Sequence, residues 1–128
     1  LEAQINWEPL EQMNLTANYT FTERKGDNAI RIPKHRINAA LSYNFSTKSF
    51  LSLSYAFVGK RLDTDFNTFD DEVLDPFSTL GVYVSQEIMP NKLKFFLNLE
   101  NVFNTNFTEV IGFTTRGRNL RLGLSLKL

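Results

Sequence analysis

Cysteine is absent from all 128 residues, which excludes a disulfide framework and a zinc–thiolate site. Histidine occurs once, as His35 in Pro33-Lys34-His35-Arg36, and reads as a solvated strand end at a loop-to-strand junction. No Gly-rich phosphate loop, HExxH or GxSxG motif is present, so no catalytic constellation is assembled and an enzyme is not expected. Charge of one sign is also lacking: 14 Lys+Arg balance 14 Asp+Glu, which argues against nucleic acid as a partner. No apolar run approaches the roughly 18 residues of a membrane-spanning helix. That lack does not exclude a membrane protein, because a spanning strand needs only about 9–11 residues and shows alternation instead of a solid apolar run.

What is present is alternation. Leu120, Leu122, Leu124, Leu126 and Leu128 fall on one side of an extended chain, and Arg121, Gly123, Ser125 and Lys127 on the other. The same period predicts six more strands. Leu1–Glu8 carries Ile5 and Trp7 on its apolar side, and Pro9 is expected to stop it. Met13–Thr22, Arg36–Phe45 and Leu51–Val58 follow, then a less regular strand over Leu80–Ile88. The sixth starts at Leu93 and alternates as far as Phe103. Twelve Phe, four Tyr and one Trp suit strands, and no helix or domain boundary is expected.

The connections alternate strictly in length. Pro9–Gln12, Ser46–Ser49 and Pro90–Lys92 are short, whereas Glu23–His35, Arg61–Pro76 and Asn104–Gly117 are long. An up-and-down meander then gathers its short turns at one end and its long loops at the other, as outer-membrane barrels do. Alternation alone does not say which face meets water, and a small soluble β-barrel holding an apolar ligand has the same period. The polar face is rich in Asn, Ser and Thr, and aromatics gather near strand ends on the apolar face. Trp7, Tyr43 and Phe45 lie at the short-turn side, with Phe21, Phe57 and Phe103 at the long-loop side. Both features favour lipid on the leucine side. An odd strand count leaves two unpaired edges, so a complete barrel is not expected from these residues.

A strand ending in Asn101-Val102-Phe103-Asn104, a loop with Gly112-Phe113 and Gly117-Arg118-Asn119, and a last amphipathic strand resemble the C-terminal end of TonB-dependent outer-membrane receptors. That family mostly ends in an aromatic residue, where this chain has Leu128. The resemblance implies an all-β, antiparallel, up-and-down transmembrane barrel of about 22 strands with a plugged lumen, residues 1–128 forming its last seven strands. It implies TonB-dependent uptake of a scarce nutrient, such as a ferric siderophore, haem or cobalamin, across the bacterial outer membrane. The expected partners are outer-membrane lipid and lipopolysaccharide, the small-molecule nutrient, and the TonB complex through a segment outside these residues. The C-terminus would be periplasmic. No signal peptide is visible, so the segment is expected to be the tail of a longer precursor. A barrel with a purely structural or adhesive role is the further alternative.

Candidate binding residues lie in the long loops. In Arg61–Pro76, Asp63-x-Asp65-x-Asn67 has the oxygen spacing that opens a calcium loop, with Asp70 nearby. Thr68 and Leu74 stand where an EF-hand needs Gly and Glu, so any Ca²⁺ site over Asp63–Asp75 is a looser one, against a solvated acidic loop. Phe66 and Phe69 in that loop, and Arg116 and Arg118 in the last one, are the ligand-contact candidates. Gly117 is expected to supply an unusual backbone angle, and Arg118 and Arg121 to pair with Glu100 or Glu109. Lys34, Arg36, Lys60 and Arg61 lie near the long-loop rim, where they can meet lipopolysaccharide phosphates or stand as ordinary rim charges.

Overall fold

A computed structural model describes residues 1–24 and 29–127; Leu128 and part of the first long loop lie outside the described residues. The described chain is all-β. One antiparallel sheet takes its strands in chain order: β1 (Glu2–Leu10), β2 (Met13–Phe21), β3 (His35–Asn44), β4 (Ser49–Val58), β7 (Phe77–Met89), β8 (Leu93–Glu100) and β9 (Asn119–Leu126). Between β4 and β7 a separate two-stranded sheet, β5 (Arg61–Thr64) with β6 (Asp71–Leu74), stands off as a hairpin. β1 and β9 form opposite edges, so the sheet is open where a small closed barrel would join them.

The register carries the two-sided pattern across every strand. Trp7, Leu15, Leu41, Leu53, Val82, Leu99 and Leu120 pair in succession, giving one apolar row over all seven strands. The row beside it, Asn14, Ser42, Ser52, Tyr83, Asn98 and Arg121, is polar but for one aromatic. A slip of one residue would exchange the two faces, so this register is strongly specified wherever one face avoids water. Yet no described element covers the apolar face. Leu120, Leu122, Leu124 and Leu126 are each more than half exposed, far beyond the patches a water-soluble surface carries. The buried apolar residues, Val58, Leu74 and Phe77, all sit at the long-loop end.

Three strand boundaries differ from the sequence reading. Pro9 does not end β1; it sits in the irregular stretch between Trp7 and Leu10, where the register shifts. Proline has no N–H for the ladder, and a break in the pairing such as this one is where a strand tolerates it. β8 stops at Glu100 instead of Phe103, because Asn101 turns to φ 50° and its amide group bonds the backbone of Thr105 in both directions. Phe103 therefore leaves the aromatic rim and is exposed. Third, the supposed loop Arg61–Pro76 contains β5 and β6, and β7 starts directly after Pro76.

Candidate functional site

The described parts of the long connections, residues 22–24 with 29–34, 59–76 and 101–118, meet above one end of the sheet. Asp63 joins all three. Its side chain is wholly buried; Oδ1 accepts from Arg31 Nε at 2.6 Å and from the Thr64 amide at 3.0 Å, and Oδ2 accepts from the Ile111 amide at 2.7 Å. Burial alone would raise the Asp63 pKa; the hydrogen bonds from Ile111, Arg31 and Thr64 outweigh it and hold the carboxyl below its usual range. Arg61, on the same side of β5, donates from Nη2 to the carbonyls of Thr108 and Glu109 and lies 5.3 Å above the Phe77 ring. Phe77 stacks on Phe107 at 4.0 Å. The backbone adds a bond from the Arg31 amide to the Leu62 carbonyl at 2.7 Å.

The calcium candidates Asp63, Asp65 and Asn67 are already engaged in hydrogen bonds within the protein. Both oxygens of Asp63 are taken by donors, and Asp65 Oδ1 accepts from the Asn67 amide and side chain at 2.8 and 3.0 Å, a closed Asx turn. Asp70 lies exposed at the far side of the hairpin tip. Among the described residues no three or more His, Cys, Asp or Glu side chains are grouped as for a metal ion. Nor is the segment a merely solvated acidic loop: its inward face is packed and its outward face carries the exposed carboxylates.

The aromatic candidates are presented outward. Phe66 is 64% exposed with the Arg31 guanidinium 5.5 Å over its ring, and Phe69 is 78% exposed at the hairpin tip with φ 61°. A bulky residue in the left-handed region is a strained arrangement, held here by the Phe69 amide bonding the Asp65 carbonyl. Arg116 is exposed, and its carbonyl accepts from Asn101 Nδ2. Arg118 does not pair with Glu100 or Glu109; its Nε donates to the Val102 carbonyl at 3.0 Å, tying the two stems of the last loop. Arg121 forms no ion pair among the described residues and lies opposite Asn98 in the ladder. Gly117 has no unusual backbone angle. It serves close approach, since a Cβ there would lie 3.0 Å from Asn104 Oδ1, and the positive φ angles of this connection belong to Asn101, Asn104 and Gly112.

Below the loops, the polar face is hollow. A cavity of about 540 Å³ is walled by Asn18, Asn38, Ser54, Thr79 and Glu100. A recess of about 400 Å³ under the last loop shares Thr79, Glu100 and Asn101 with it and adds Glu109, Thr114 and Arg116. The two therefore form one polar concavity beneath the loop cluster. Toward the short turns, that face changes character. Phe50, Tyr83 and Phe96 form an aromatic patch with ring centroids 6.1 and 6.2 Å apart, over a buried Ser85. Phe96 lies across Gly123 so closely that a Cβ there would collide with its ring. The signal was in the sequence: all three aromatics are out of phase with the leucine side.

On the apolar face aromatic side chains pack near both ends of the strands. Tyr43 packs edge-on to Phe45 at 4.6 Å near the short turns. At the long-loop end, Tyr19 Oη and His35 Nδ1 are 2.8 Å apart, and Phe21 packs on the same imidazole. His35 is thus a member of this rim as well as a strand end.

Comparison with known proteins places this architecture. No curated protein matches the chain by sequence. Among solved structures, the chain is similar to Pseudomonas aeruginosa FpvA bound to pyoverdine, with TM-score 0.81 and 21% identity over 96% of this chain and 18% of that one. It is similar to the Escherichia coli ferric-catecholate import receptor Fiu, with TM-score 0.77 and 15% identity over 98% of this chain and 20% of that one. It is also similar to the Neisseria meningitidis iron transporter FrpB, with TM-score 0.72 and 17% identity over 96% of this chain and 22% of that one. The chain thus spans about a fifth of the length of the solved receptors it matches. The family described as TonB dependent receptor-like, beta-barrel, matches residues 1–102, and with an open seven-stranded meander, a bare leucine face and clustered long loops, the chain belongs to that family.

Proposed function

We propose that residues 1–128 form the C-terminal wall of a plugged outer-membrane barrel of about 22 strands that takes up a scarce nutrient with energy from a TonB complex. The observation that carries it is the pairing of an uncovered apolar row over seven strands with a polar concavity roofed by loops. The first face suits lipid, and the second suits a hydrated passage. A ferric siderophore is the favoured cargo, because the similar structures include receptors named for pyoverdine and for ferric catecholates. Phe66, Phe69 and Arg116 would meet it from the loop side. TonB contact and the plug belong to other parts of the protein, and lipid and lipopolysaccharide surround the leucine face. The long loops would face outward and the C-terminus the periplasm.

Two measurements test this. Deleting the gene should abolish uptake of radioactive iron presented as siderophore complexes by iron-starved cells; undiminished uptake of every ferric siderophore tried would sink the cargo assignment. In a cysteine-free receptor, cysteine at Asp70 or Thr114 should react in intact cells with a thiol reagent that cannot cross the outer membrane. Cysteine at Thr47 or Asn91 should react only after permeabilisation. The reverse pattern would invert the topology.

A further inference from the structure

The aromatic patch on the polar face has no part in the loop-side site. Phe50, Tyr83 and Phe96 reach across β4, β7 and β8, and the Tyr83 and Phe96 rings lie nearly parallel, with 22° between their planes. Ser85, between Phe50 and Phe96 in the ladder, is buried beneath them. Gly123 faces Phe96 on β9 and brings no side chain, so the Phe96 ring extends over the last strand as well. The three rings themselves are only half-buried. They form an aromatic platform across four neighbouring strands, in the half of the passage nearer the short turns.

The free charge around this platform is of one sign. Arg121, two residues before Gly123 and on the same face, makes no ion pair among the described residues. Lys94 stands two residues before Phe96 on that face. Its partner in the ladder, Glu87, is turned to Lys48 at 3.7 Å. Lys94 also lines a groove of about 240 Å³ at the short-turn end, with Lys92, Ser125 and Lys127. Arg121 and Lys94 lie opposite the leucine side, so lipid headgroups do not reach them. Rings flanked by cations suit an anion whose bulk is aromatic: ring stacks on ring, and guanidinium and ammonium offset the charge. Ferric ion bound by three catecholates is such an anion, because three doubly negative rings outweigh one triply positive metal.

From this we infer that the platform is an inner stopping place for the cargo, and that the class it takes is the anionic ferric tris-catecholate. One catechol ring lies on Tyr83 and Phe96, and Arg121 and Lys94 face the net negative charge. The hollow beneath the loops and this platform then follow one another down the same face of the sheet. The inference rests on the uptake reading and adds to it a second site and a cargo class.

The test uses cells in which the full-length receptor is the only route for the probe. Two probes are compared: ferric enterobactin, a trianionic tris-catecholate, and ferrichrome, a neutral tris-hydroxamate. Arg121→Gln with Lys94→Gln should slow energised uptake of ferric enterobactin about tenfold, as expected for two partly exposed charge contacts. Its binding to de-energised cells, at the loop side, should stay unchanged. Tyr83→Leu with Phe96→Leu should slow uptake comparably, whereas Tyr83→Phe and Arg121→Lys should keep the parent rate. Glu11→Gln, in the turn between β1 and β2, should change nothing. Each variant is checked for heat-modifiable migration, and the single variants cover a double variant that fails to fold. Unchanged uptake in the folded variants overturns the inference, and so does equal slowing of ferrichrome. Entry of vancomycin into variant cells also overturns it, because the platform would then hold the plug and not the cargo. Uptake of ferrichrome but not ferric enterobactin by the parent sinks the inference and leaves the uptake reading standing; uptake of neither counts against both.

Discussion

Asp63→Asn tests whether the long loops are one packed unit. The substitution keeps the shape and removes the charge. Oδ1 and Oδ2 together accept three hydrogen bonds, one from a guanidinium, in a site with no solvent access. An asparagine offers one acceptor oxygen and an NH₂ that must face either the Arg31 Nε–H or the Ile111 N–H, donor against donor. Losing one partner of a fully buried pair costs about 3–5 kcal/mol. Here Arg31 is 41% exposed and can rehydrate, so about 2–3 kcal/mol is expected, in line with the loss of one or two bonds to a charged acceptor. The seven-stranded sheet does not share this contact, so the loss appears as local opening of the loops and not as unfolding of that sheet. Amide hydrogen exchange on the purified receptor reads it directly. The Ile111 amide should exchange roughly thirtyfold faster or more in the variant, since each 1.4 kcal/mol is about tenfold, while amides of β3 and β4 keep their rates. Unchanged exchange at Ile111 would refute the clamp. The pH dependence has a definite sign. A carboxyl with a lowered folded pKa stabilises above its unfolded value, about 3.9, and loses that contribution as pH falls through the folded value. The clamp should therefore be intact at neutral pH and loosen only in strong acid.

The remaining predictions concern the sheet. Leu122→Arg puts a charge in the row of Leu51, Val84 and Leu97 and should impair assembly by about 2–4 kcal/mol if that row lies near the bilayer midplane. Ser125→Arg, on the other face, should be milder; equal damage in an outer-membrane assembly assay would reverse the facing. Gly123→Val drives a side chain into the Phe96 ring and should lower the heat-modification midpoint, with an overpacking cost of about 1–3 kcal/mol. Adding Phe96→Ala should recover part of that loss, and purely additive effects of the two substitutions would show that the ring does not sit on Gly123.

The leucine face was legible in the sequence because lipid asks little of it. A spanning strand needs its apolar residues in period two, and lipid does not discriminate between Leu, Val and Trp by partner, so periodicity alone places Leu15, Leu53 and Leu120 correctly. The alternating connection lengths settled strand order for the same reason: antiparallel neighbours in chain order need no knowledge of side chains. The Asp63 clamp was not legible because its surroundings are not local. Its spacing to Asp65 and Asn67 is that of a ligand loop, but its partners stand 32 residues earlier at Arg31 and 48 later at Ile111. No window on the chain contains both. The hairpin β5–β6 escaped detection for a related reason: four-residue strands such as Arg61–Thr64 are too short for a period, and burying an arginine and an aspartate contradicts the usual sign of burial. Those two charges are buried because a sheet with one face toward lipid offers little apolar core to anchor loops, and at the loop end only Val58, Leu74 and Phe77 are buried apolar side chains among the described residues. Buried polar bonds between connections are the remaining way to hold three long loops together, and they put an ion pair and a guanidinium-capped Phe77–Phe107 stack where a soluble protein would place aliphatic side chains.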